Sequence, residues 1–261
     1  MIHRHAAICG AVLVIVLSGA AGAQDGGTLP RVPFPVGETL SYRLQARWFF
    51  VRGSGTASLA VEGVDTVRGQ PAYRLAFRMK GGIAVFKIDD VQRSWLDMDQ
   101  LYSHRFEQKL NQTGYSRDRT YEFLPETMRY ERIGVPGDTG QLASARPLDD
   151  VSFVYHVRTL PLEVGRSITE DRYYKQDGNP VTVHVLRRER ITVPAGEFDA
   201  VVVRPIIRSD GLFSEGGEAE VWLSDDDRRL LLKMRAKVSI ATLTMELQSY
   251  TGGSAPAGQQ R

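Results

Sequence analysis

The chain has 261 residues, with 33 lysines and arginines against 31 aspartates and glutamates and a single cysteine, Cys9. A charge balance this even argues against a nucleic-acid binder, which usually shows a concentrated basic face. The length is enough to close one large core, since all-β chains of roughly 200 to 250 residues are often a single domain.

The first residues read as an export signal. Met1 to His5 form a short basic start, Ala6 to Ser18 an apolar run centred on Val12 to Leu17, and Ala21, Gly22 and Ala23 a small-residue end. That order is the pattern of a secretory signal peptide cleaved after Ala23. The apolar run falls short of the roughly 20 residues that a spanning helix needs. The mature chain is therefore expected to be exported, periplasmic and soluble, and not membrane-spanning. Cys9 lies too early to be a lipid-bearing cysteine and leaves with the signal. The mature chain then has neither a disulfide nor a thiol nucleophile and depends on core burial. Residues 24–36 read as a flexible segment, 37–250 as one β-rich domain, and 251–261 as a disordered tail.

From Val36 to Tyr250 the dominant period is two. Leu40, Tyr42, Leu44, Ala46 and Trp48 alternate with polar neighbours, as in a strand with one buried face. Tyr73, Leu75, Phe77 and Met79 repeat the pattern within 71–80, and the segments 115–123, 181–193 and 198–207 extend it. Turn signals follow at short intervals: Arg52-Gly53-Ser54-Gly55, Arg68-Gly69-Gln70-Pro71, Gly81-Gly82, Gln176 to Pro180, Pro194-Ala195-Gly196 and Gly216-Gly217. Many strands joined by tight turns predict an antiparallel sheet.

One segment breaks the rhythm. Residues 146–161, "RPLDDVSFVYHVRTLP", place Val151, Val154 and Tyr155 at helical spacing, with Asp149 as N-cap and Pro161 as the stop. Leu148 and Phe153 are placed to staple its start. A lone amphipathic helix must bury its stripe, and the concave face of the sheet is the available place. The predicted fold is mainly β: a curved antiparallel sheet or partly closed β-barrel packed against one short α-helix. The loop-like stretch 133–145 reads as an internal crossover, not a domain boundary.

Few residues suggest chemistry. The "SDDDRR" knot at Ser224 to Arg229 reads as a turn, because it lacks the alternating oxygen ligands and glycine of a calcium loop. His104, His156 and His184 are scattered, so no metal site is predicted. Arg187, Arg188 and Arg190 are split between two faces by strand alternation. Asp89 with Asp90, and Asp149 with Asp150, are adjacent carboxylate pairs, but glycosidase carboxylates are assembled in space and Asp149 is explained by the helix cap. There is no nucleophile elbow, P-loop or dinucleotide fingerprint. A Ser-His-Asp triad stays open, since its members need not be close in sequence.

As an ordered set, "FPVGETLSYRLQARWFFVRGSGTASLAVEG", "PLDDVSFVYHVRTLPLEVGRSI", "ITVPAGEFDAVVVRP" and "EVWLSDDDRRLLLKMRAKVSIATLTMEL" resemble the bacterial exported family catalogued as domain of unknown function 3108. The resemblance spans about Val36 to Tyr250. It implies a mainly β envelope protein and carries over no catalytic residue. Leu231 stands where the family commonly has a proline, and Ile240 to Ala241 where it often has a glycine.

Functionally, the bulky set Tyr42, Leu44, Trp48, Tyr73, Phe77, Met79, Trp222 and Met234 suggests a non-enzymatic periplasmic protein binding an apolar small molecule or lipid in its concavity, without a cofactor. Plain core filling explains the same residues equally well. The alternatives are an envelope scaffold that binds a protein partner by a strand edge or loop and a hydrolase of cell-wall glycan or lipid.

Overall fold

The computed structural model describes residues 30–208, 219–238 and 241–252, with backbone only for Trp48, Val238 and Ala241. The signal peptide expected at 1–23, Gly216-Gly217, Ile240 and the tail from 253 onward lie outside the described residues. Alternating apolar positions form a meander that leads away from mid-sheet: β1 (Thr39–Trp48), β2 (Val51–Val67), β3 (Gln70–Ile83), β4 (Phe86–Asp97), β5 (Ser103–Gln112), β6 (Tyr115–Leu124), β7 (Arg129–Arg132) and β8 (Thr139–Gln141). The helix α1 (Asp150–Thr159) then carries the chain to the far edge. From there a second meander returns: β9 (Ser167–Glu170), β10 (Val181–Val193), β11 (Gly196–Ile206), β12 (Glu220–Ser224), β13 (Leu231–Val238) and β14 (Ala241–Thr251). β14 pairs antiparallel with β1, giving among the described residues one sheet of 14 strands with β8 and β9 as its edges. Just beyond those edges Leu142 bridges Lys175 and Leu148 bridges Tyr173, so the sheet curls back on itself without closing its ladder. No helix among the described residues is long and apolar enough to cross a membrane.

The pleat sorts side chains between two faces. Val203, Val221, Met234, Met245 and Leu44 lie opposite one another across five strands and form an inner row. The neighbouring outer row carries Trp222, Lys233, Glu246 and Arg43, with Glu246 at 3.2 Å from Lys233 and 2.9 Å from Arg43. Leu231 opens β13, and its carbonyl accepts from the Tyr42 hydroxyl at 3.0 Å.

The helix starts as the sequence predicts. Asp149 accepts from the amides of Val151 and Ser152, and the Ser152 hydroxyl accepts from the Asp149 amide, which completes a capping box. Its expected amphipathic character is corrected. Besides Val151, Phe153, Tyr155 and Val157, it buries Ser152, His156 and Arg158, because it is enclosed by the curved sheet and not laid on its surface. Each buried polar side chain has a partner: Ser103 for Ser152, Glu170 for His156 and Glu38 for Arg158.

Three further expectations change. Phe34, within the segment expected to be flexible, is fully buried and packs edge-on against Tyr73 and Tyr155 at 5.6 and 4.9 Å between ring centroids. Thr251, expected in the tail, pairs with Thr39 in β14. Gly53, Gly55, Gly81 and Gly82, read as turn residues, lie inside β2 and β3. There Gly55 sits opposite Gly81, and a Cβ on Gly81 would lie 2.6 Å from the Ser54 carbonyl oxygen and 2.7 Å from the Gly55 Cα. Bare glycine is what lets the two strands approach so closely. Gly81→Val is therefore expected to cost about 1–3 kcal/mol by overpacking, read as a lower urea midpoint with an unchanged slope; an unaltered midpoint would show that the strands separate freely.

Candidate functional site

Among the described residues one continuous apolar cluster occupies the interior. At the end where β1 and β13 begin, Arg158 and Glu38 form an ion pair with side chains 0% and 1% exposed. Tyr42 and Tyr73 belong to the apolar cluster, beside Tyr155 and Phe34. Of the residues expected to line a ligand cavity, these two instead form core. Met234 is core as well, in the inner row beside Met245. Phe77 is half-buried against the same cluster.

Trp222 is a correction. It stands opposite Lys233, whereas Met234 stands opposite Val221, so alternation puts Trp222 on the convex face. There the Arg187 guanidinium and the Lys233 ammonium lie over its ring, 5.8 and 5.6 Å from the centroid, and its indole N–H donates to Glu189. The side chain of Trp48 lies outside the described residues.

The opposite end of the sheet is open. Because β4, β3, β2, β1, β14 and β13 are consecutive neighbours, the β1–β2 and β3–β4 hairpins turn at this end, where β13 also ends and β14 begins. Between them lies an apolar hollow of about 50 Å³, lined by Leu44, Ala46, Met79, Ile83, Phe86 and Leu243 among others. Leu44 and Met79 are thus the two expected site residues that reach an accessible apolar space. The hairpin tips bear Phe49, Phe50 and Val85, exposed by 74%, 100% and 86%. Sequence reasoning missed these tips, although "RWFFVR" and "KGGIAVFK" are turns with apolar apices, an available signal.

Among the described residues no acid–base pair lines the hollow. Two histidine–carboxylate pairs form elsewhere: His104 Nε2 with Asp97 at 2.9 Å and His156 Nε2 with Glu170 at 2.6 Å. In each the second ring nitrogen faces an arginine, Arg68 at 3.3 Å and Arg172 at 3.4 Å, where a triad would place its nucleophile. Burial pushes both imidazoles toward neutrality, against the pull of their carboxylates. The third, His184, meets Ser167 Oγ at 2.7 Å but stands opposite Arg204 on β11, not a carboxylate.

The adjacent aspartates also have structural partners. Asp89 pairs with Lys80 at 2.9 Å, Asp90 accepts from the Asn111 amide and Gln112 Nε2, and Asp150 accepts from the Tyr173 hydroxyl. Asp149, inside the protein, is pushed up to about 6 by burial, against hydrogen bonds from Ser94, Ser152 and Ser103. In the charged knot, Asp226 holds Arg228 and Ser224, and Asp225 holds Arg188 and Arg229, which is the arrangement of a turn. Among the described residues no group of three or more histidine, cysteine, aspartate or glutamate side chains is placed to hold a metal ion.

Comparison with known proteins agrees with this architecture. No curated protein matches the chain significantly. The fold is similar to the crystal structure of a beta-barrel-like protein of domain of unknown function DUF1849 from Brucella abortus, with a TM-score of 0.57 and 10% identity, over 86% of this chain and 100% of that one. A family model described as "Protein of unknown function (DUF3108)" matches residues 41–248. The chain therefore belongs to the DUF3108 family.

Proposed function

We propose that this is a non-catalytic cell-envelope protein that takes the end of an apolar group, of the kind carried by an acyl chain, into the hollow at the open end of its sheet. The observation that carries this reading is the convergence of Leu44, Met79, Phe86 and Leu243 on an accessible apolar space beside exposed apolar tips. The hollow, at about 50 Å³, is far below the roughly 300–1,000 Å³ of pockets that enclose whole ligands. It admits a few carbons and leaves the rest of the ligand between the hairpins. The signal-like start of the sequence supports the envelope, and the arginine-blocked histidine pairs support a role without catalysis. A scaffold role by strand addition is less favoured, because the edge strands β8 and β9 are only 3 and 4 residues long and are bridged just beyond their ends.

Filling the hollow tests the reading. Met79→Trp is expected to weaken displacement of a fluorescent fatty acid about tenfold, since losing the burial of two methylenes is worth about 1.6 kcal/mol. Unchanged affinity in the variant, or no uptake by the parent protein, would exclude the hollow as the binding site.

A further inference from the structure

The rim of the open end has a second chemistry. Phe49 and Ala84 hold their tips at φ of +49° and +53°, in the left-handed region that bulky residues avoid. Glycine or asparagine would suit these positions better, so apolar side chains stand at the apices despite the conformational cost. Phe50 is wholly exposed and Val85 is 86% exposed, on two hairpins of the same rim.

Cations bracket each tip. In the sequence Arg47 and Arg52 enclose "WFFV" and Lys80 and Lys87 enclose "GGIAVF", Lys80 being paired with Asp89 across β3 and β4. The register sharpens this. Arg47 stands directly opposite Arg52 on one side and Thr242 on the other, and Lys237 stands opposite Thr242 in turn. Three cations thus share one cross-strand row on the convex face, although like charges directly opposite each other are unfavourable. A surface groove of about 550 Å³ runs beneath the tip, lined by Arg47, Phe49, Arg235, Lys237 and Thr242 among others. In a chain so nearly neutral overall, this excess is local.

Discrete apolar apices above a layer of cations match a planar anionic surface with an apolar interior. We infer that the open end docks on an anionic lipid bilayer, Phe49, Phe50, Val85 and Phe86 entering the interface while Arg47, Arg52, Lys87 and Lys237 meet lipid phosphates. The inference shares its location with the proposed acyl site but does not require the hollow to be occupied.

Vesicle flotation of the protein as the cell produces it tests the idea. Binding to mixed phosphatidylglycerol–phosphatidylcholine vesicles should exceed binding to pure phosphatidylcholine and fall at high salt. The pair Arg47→Ala and Arg52→Ala should weaken it about 25-fold, at about fivefold per cation. Phe50→Ser with Val85→Ser, both at exposed positions where folding is not at stake, should weaken it at least about tenfold. Without vesicles, the Arg47→Ala and Arg52→Ala pair should displace a fluorescent fatty acid as the parent does, because neither arginine lines the hollow, which separates this result from the test of the hollow. Equal binding to neutral vesicles, or retention of binding by both double variants, would overturn the proposal. So would a dimer in sedimentation that Phe50→Ser disperses without any vesicle binding, because the tips would then serve self-association.

Discussion

Arg158→Ala is expected to destabilise the protein by about 3–5 kcal/mol, as removal of one partner from a buried ion pair generally does. The Arg158 guanidinium donates to both Glu38 carboxylate oxygens at 2.6 and 2.8 Å, and to the carbonyls of Arg229, Arg228 and Pro33 at 3.0, 3.1 and 3.3 Å. The rings of Phe34 and Tyr155 flank it, each centroid 5.4 Å away. One side chain thus ties the end of α1 to the lead-in segment, the start of β1 and the charged turn before β13. Truncation leaves the Glu38 carboxylate buried without its counter-charge and three carbonyls without a donor. Combining Glu38→Leu with Arg158→Met removes both charges and should recover the part of the loss due to the orphaned carboxylate, while the three carbonyls stay without a donor. Urea unfolding followed by circular dichroism reads both effects. A loss below about 1 kcal/mol in Arg158→Ala would mean that water reaches the site and that the pair is not truly desolvated.

The second large effect concerns Asp149. Its displacement from the ordinary carboxylate value to about 6 corresponds to about 3 kcal/mol. Between roughly pH 4 and 6 the folded chain retains a proton that the unfolded chain has released, so this group's contribution to stability falls as pH rises through that window and stays low above it. Asn keeps the N-cap acceptor for the Val151 and Ser152 amides and cannot ionise. The Ser94 hydroxyl, which donates to the Asp149 carboxylate at 2.6 Å, can rotate to accept from the new amide. Asp149→Asn is therefore expected to match the parent near pH 4 and to exceed it by up to about 3 kcal/mol at pH 7. Paired urea midpoints across this range measure the difference, in which the titration of His104 and His156 cancels. A difference that does not vary with pH would show that the serine hydroxyls already offset the burial of the charge.

The charged knot illustrates how far sequence reasoning reached. Its side chains do close a turn, as Asp226 with Arg228 and Asp225 with Arg229 show. Its backbone has a second use, presenting two carbonyls to an arginine about 70 positions earlier in the chain. Nothing in "SDDDRR" announces that. The bulky residues of the strands were likewise visible, but their destinations were not: Tyr42 and Tyr73 became core, Leu44 and Met79 border the hollow, and Trp222 faces outward. The glycines at 53, 55, 81 and 82 were misplaced as turns, because close approach of two strands and a tight turn select the same residue.

By itself the sequence determined the antiparallel meander, the position and cap of the one α-helix among the described residues, and the Arg68-Gly69 turn, where φ is +48° and +81°. These are local matters: a pleat repeats every two residues, and a cap bond spans three. Tertiary structure alone decided that Glu38 meets Arg158 across 120 residues, that the helix is enclosed on nearly every side, and that cations from β1, β2 and β13 align beneath apolar tips. Such meetings depend on strand register and on how far the sheet curls, and both are set by the whole set of contacts, not by any short stretch of chain.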